Sequence, residues 1–93
     1  MDLSELYHKK SSFAARNVGT EIILVPVKNS VADMNELFTL NEVGSFIWNH
    51  IDGEKSENDI VKALIVDFNV DEERAIKDVK EFIESLKALI EKS

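Results

Sequence analysis

Cysteine is absent from this chain, and glycine and proline are scarce: three glycines and one proline in 93 residues. Without cysteine there is no disulfide, no thiolate metal ligand and no thiol nucleophile, a composition that fits the cytosol. With so little glycine and proline, no stretch resembles a linker, and neither a repeat nor a low-complexity tract divides the chain. Long apolar runs are missing as well. The longest, Ile22–Val27, is interrupted by Pro26 and falls far short of the roughly 20 residues that span a bilayer. Met1–Lys10 is of mixed charge and lacks the apolar core of a secretion signal. A cytoplasmic domain without a membrane segment is therefore expected.

What is present is an ordinary globular mixture, 44% apolar and 31% charged, with room for one hydrophobic core. The expectation is a single domain over 1–93, with 1–11 as a flexible tail. The net charge is −7, and it is unevenly placed. Residues 1–40 carry four Lys or Arg against five Asp or Glu, and residues 41–93 carry seven against thirteen. An acidic half that also holds the helices is the wrong sign for neutralising phosphates, so a nucleic-acid partner is not expected.

Phe13–Asn17 and Thr20–Val27 read as two strands of a hairpin around Val18-Gly19. Pro26 has no N–H to donate and so points to an edge position or to the strand's end. Lys28–Asn35 is polar and reads as a loop with a helical turn around Val31–Met34. Glu36–Leu40 reads as a third strand, with Phe38 and Leu40 on one face and Leu37 and Thr39 on the other. From Asn41 the period changes to that of a helix. Asn41 is the expected N-cap, Val43, Phe46, Ile47 and Ile51 form the apolar stripe, and Asp52-Gly53 is the stop. Ser56 caps a second helix with Ile60, Ala63, Leu64 and Phe68 facing inward. Asp71 caps a third, whose stripe is Ala75, Ile76, Val79, Phe82, Ile83, Leu86, Leu89 and Ile90. The fold class is then α+β: a winged helix-turn-helix with a three-stranded antiparallel sheet followed by three helices.

Chemistry-bearing constellations are not found. His8 and His50 are far apart, with no partner at metal-ligand spacing. The acidic clusters lack the spacing of a calcium loop and sit at helix starts. No phosphate-cradling glycine motif or activated serine is present. No catalysis, metal or cofactor is expected. Trp48 on an apolar helix face is read as a core filler.

The order of Phe38, Leu40, Asn41, Gly44, Ile47, Trp48 and Gly53 resembles the pattern of the pyrroloquinoline quinone synthesis protein D family. Ile60, Val61, Leu64, Phe68, Val70, Asp71, Asp78, Val79, Phe82 and Leu86 continue it, so that the resemblance spans residues 13–90. It implies a three-stranded sheet on three helices acting as a recognition element in natural-product and cofactor biosynthesis. Such a domain binds the leader of a ribosomally made precursor peptide and hands it to a maturation enzyme such as a radical S-adenosylmethionine protein. The peptide would add to the edge of the third strand, Glu36, Leu37, Phe38, Thr39 and Leu40, beside the border of the third helix. On that border Ala75, Asp78, Phe82 and Ser85 are the candidates. Two other readings stay open: a winged-helix DNA-binding regulator, which the charge opposes, and a structural or dimerisation module, with a homodimer through the same strand edge.

Overall fold

The computed structural model describes residues 3–28, 31–32 and 37–92, and the statements below refer to these. Helix α1 (Leu3–Lys9) and a 3₁₀ turn (Lys10–Ser12) lead into β1 (Phe13–Val18), β2 (Glu21–Lys28), β3 (Val31–Ala32) and β4 (Phe38–Leu40). Three helices follow: α2 (Glu42–His50), α3 (Glu57–Phe68) and α4 (Glu72–Lys92). The expected α+β arrangement of an antiparallel sheet followed by helices is therefore the observed one.

The axis of the sheet is β2. On one side it pairs with β1, from Phe13↔Pro26 to Val18↔Glu21, through the two-residue turn Gly19–Thr20. Gly19 has φ +64 and Thr20 does not share the positive φ, the combination of a type II′ hairpin turn, which glycine adopts at no steric cost. Residues flanking such a turn exchange backbone hydrogen bonds, and the alternation of an antiparallel ladder then fixes the rest. Glu21, Ile23 and Val25 direct their backbone groups at β1, while Ile22, Leu24 and Pro26 direct theirs at the opposite edge.

That opposite edge carries both remaining strands. β4 pairs as Ile22↔Leu40, Ile23↔Thr39 and Leu24↔Phe38, and β3 as Val27↔Ala32 and Lys28↔Val31. Lys28 shares the parity of Ile22 and Leu24, so β3 and β4 are two pieces of one lane, and the sheet is three lanes wide. From Leu24 to Val27 β2 advances three residues, while its partner goes from Phe38 back to Ala32, six residues. Pro26 falls between these two sets of pairs, so its missing N–H removes no bond from either. Pro26 thus lies in the central strand and is fully buried, not at an edge or a strand end as expected. Val31–Ala32 is strand instead of the expected helical turn; Asp33 and Met34 of that turn lie outside the described residues.

The tail expected at 1–11 is also corrected. Leu6 in α1 is fully buried in the same cluster as Leu24, Ile47, Ile51, Leu64 and Leu86. Lys10 donates from Nζ to Trp48 O at 2.8 Å and to Ile51 O at 3.0 Å where α2 ends, Trp48 O also accepting from Ile51 N at 3.2 Å. Its ammonium also lies 4.7 Å from the Trp48 ring centroid. Burial pushes the Lys10 pKa below the ordinary lysine value, and nearby Asp52 partly offsets this. Gly53 (φ +86) lies beneath the Tyr7 ring, where a Cβ would come within 2.9 Å of Cδ2. Mixed charge concealed this segment, whose anchoring combines the buried Leu6 and half-buried Leu3 with Lys10 and the Tyr7–Gly53 contact.

The helix signals hold. Asn41 Oδ1 accepts from Gly44 N at 2.8 Å. Ser56 and Asp59 form a reciprocal capping box. Asn69 adopts the left-handed conformation, φ 51, at the end of α3, and Asp71 Oδ1 accepts from Arg74 N at 2.8 Å at the start of α4. Trp48 is buried edge-on to Phe13, as expected of a core filler. Among the described residues, no helix is long and apolar enough to cross a membrane.

Two outcomes are expected. Leu6→Ala removes a fully buried side chain and should lower the unfolding free energy by about 2–5 kcal/mol, where truncation of a tail residue would change urea denaturation little. The Asp59 carboxyl is held below its ordinary range by hydrogen bonds from Ser56, so its stabilisation is present above the unfolded-state pKa and is lost as pH falls through the folded one. The stability difference between the parent chain and Asp59→Asn should therefore shrink on acidification.

Candidate functional site

Where β4 runs into α2 there is no connecting loop. Leu40 ends the strand, Asn41 caps the helix, and Ser45 Oγ donates back to Leu40 O at 3.2 Å. This hinge places the first turn of α2 beside α4, and a groove of about 330 Å³ opens between them. Thr39, Leu40 and Asn41 form one side, Val43 and Gly44 the end, and Arg74, Asp78, Glu81, Phe82 and Ser85 the helical wall. Gly44 allows the close approach: a Cβ there would stand 3.4 Å from the Phe82 ring and 3.2 Å from Asn41 Oδ1.

Of the residues singled out in sequence, Thr39, Leu40, Asp78, Phe82 and Ser85 meet around this groove. Phe38 lies next to it, half-buried against the core from the sheet side. Leu37 is 51% exposed and precedes the strand. Glu36 lies outside the described residues. Ala75 does not belong to the wall; it is fully buried in the core, because it faces the helix-packing side of α4 and not its border. Asn41, Val43, Gly44, Arg74 and Glu81 were missed. A signal for two of them exists in the sequence: Arg74, Asp78, Glu81 and Ser85 recur at steps of four, three and four, a polar stripe running parallel to the apolar one.

Backbone parity decides what the strand offers. Phe38 and Leu40 share ladder pairs with Leu24 and Ile22, so their backbone groups point at β2, and those of Thr39 point outward. The electrostatics of the wall are acidic overall. Asp78, 21% exposed, is met by Arg74 Nε at 3.4 Å, longer than the roughly 2.8 Å of a strong charge-assisted bond. Glu81 Oε1 lies 4.0 Å from Lys77 Nζ, both side chains being well exposed. A second depression, lined by Tyr7, His8, Lys10, Ser11, Phe13, Ala15 and Trp48, lies beside β1, with its cation already committed to the end of α2. Among the described residues, no three His, Asp or Glu side chains are grouped to hold a metal ion.

The model of the family described as coenzyme PQQ synthesis protein D matches residues 20–89. The chain belongs to that family. Comparison with curated proteins gives no match. Among solved structures, this PQQ synthesis protein D family chain is similar to TbiB1 in complex with the TbiA(beta) leader peptide, with a TM-score of 0.68 and 23% identity. The likeness covers 83% of this chain and 84% of that one. The family match begins after α1 and β1, so the segment that closes the core through Leu6 and Lys10 lies outside it.

The Gly44–Phe82 contact yields a stability test. Gly44→Val overfills the site and should cost about 1–3 kcal/mol in urea denaturation. Phe82→Leu in the same background should recover part of that loss, because the ring is what the new side chain meets.

Proposed function

We propose that this chain is a non-catalytic recognition element. It binds the leader of a ribosomally made precursor peptide by adding it as a strand to the outer edge of β4, and presents the peptide to a separate modifying enzyme such as a radical S-adenosylmethionine protein. The observation that carries the reading is the outward backbone pair of Thr39 standing beside the groove walled by α4. Unpaired strand groups bind an extended peptide through main-chain hydrogen bonds, and adjacent pockets select its side chains. Membership of the family supports the reading, and so does the likeness to TbiB1, which is solved with a leader peptide. The charge opposes the DNA-binding alternative. α3, the helix that would enter a major groove, carries Lys62 against Glu57, Asp59 and Asp67.

Proline at position 39 isolates the edge chemistry. Because the Thr39 N–H points away from β2, Thr39→Pro removes a donor to the peptide without removing a ladder bond. The variant is expected to keep the parent's circular dichroism spectrum and to bind the precursor encoded beside the gene about two- to tenfold more weakly. In the parent chain, titration with that precursor should shift the amide resonances of Leu37–Leu40 and of Phe82 and Ser85. A precursor that binds while leaving these resonances unmoved would remove the strand-addition reading.

A further inference from the structure

Resting on the strand-addition reading, we infer that the groove selects a leader segment carrying an apolar and a cationic side chain two residues apart. The leader residue that pairs with the outward groups of Thr39 places its side chain on the Thr39 face of the sheet. Its two neighbours therefore project onto the Phe38 and Leu40 face, the face covered by the helices. Two such neighbours stand about 7 Å apart along an extended chain. One helical turn of α4 rises about 6 Å from Asp78 to Phe82. The two spacings match, so one leader side chain can address Phe82 and the other Asp78.

These two positions differ in chemistry. Around Phe82 the walls are Leu40, Val43 and the backbone of Gly44, all part of the apolar packing, so the seat takes an aliphatic or aromatic group. On the Asp78 side of Phe82 the wall carries two carboxylates, Asp78 and Glu81, three residues apart on one face of α4. The one basic residue lining the groove, Arg74, is 67% exposed and holds Asp78 only at 3.4 Å. A cation entering the groove meets two carboxylates and displaces a solvent-facing guanidinium. An anionic side chain meets the same two carboxylates unfavourably, within a chain of net charge −7.

The test uses synthetic Ser/Thr host peptides with leucine at one position and Lys, Gln or Glu two residues away, in both orders. Each is titrated at low ionic strength and up to millimolar concentration into the full chain, with the Thr39 and Phe82 amide resonances followed. For one of the two orders, the Lys peptide should bind about two- to fivefold more tightly than the Glu peptide, the range of a single partly exposed ion pair. The preference should shrink with added salt and vanish in the D78N/E81Q variant, whose fold is checked by circular dichroism. If Thr39 shifts with all the peptides but Lys and Glu bind equally, the charge selection is overturned and strand addition stands. If no peptide moves Thr39, strand addition fails and the selection fails with it.

Discussion

The junction at Leu40-Asn41 sets the geometry on which the rest of the site depends. A strand and a helix joined without a loop meet at an angle fixed by backbone dihedrals, and here three bonds hold that angle. Asn41 Oδ1 takes the N–H of Gly44, Asn41 O takes the N–H of Ser45, and Ser45 Oγ returns to Leu40 O. The consequence is that the outer edge of β4 and the first turn of α2 move as one piece. α4 then packs across them, and the gap it leaves is the groove. An alanine at position 41 would do more than remove a cap of about 1 kcal/mol, because the cap is also the hinge.

The far end of α2 is held by a different device. Lys10 donates to the carbonyls of Trp48 and Ile51, where the helix dipole favours a cation, and Leu6 fills the core beneath. A nine-residue helix has little intrinsic stability in water, so its position depends on these two ends and on the burial of Ile47 and Trp48 between them. The groove wall is consequently supported by a segment far from it in sequence. This couples α1 to the groove through rigid packing and not through contact.

Much of this was legible in the sequence because it is local. Asn41, Ser56 and Asp71 announce helix starts by hydrogen bonds that span three residues, and the apolar stripe of α4 follows from its period alone. What was not legible depends on tertiary placement. Pro26 read as an edge residue because a missing donor is normally tolerated only there; its position between the pairs that β2 makes with β3 and with β4 supplied another place for it. α1 read as a tail because its two core contacts, Leu3 and Leu6, fill less than two turns and sit among charged residues. Ala75 and Asp78 sit three residues apart on a helix, yet one is core and the other groove, a boundary drawn by how the other elements pack on α4. The N-terminal turn of α2 itself, with Val43 and Gly44, entered the site only because the strand before it is hinged without a linker.

The size of the edge limits how the site can work. β4 is three residues long, and an edge this short exposes little backbone to unwanted partners. The same shortness means that only Thr39 within the strand offers both an N–H and a C=O outward. Two backbone hydrogen bonds contribute about 1–3 kcal/mol net, whereas micromolar affinity needs about 8 kcal/mol. The balance must come from side chains entering the groove and from apolar contact with Leu40, Val43 and Phe82. Under the strand-addition proposal, the edge sets the register of a bound peptide, and the wall of α4 is left to set how tightly it is held and which sequence is held. On that proposal, discrimination between peptides falls to the helix border, where Phe82 stands beside the carboxylates of Asp78 and Glu81.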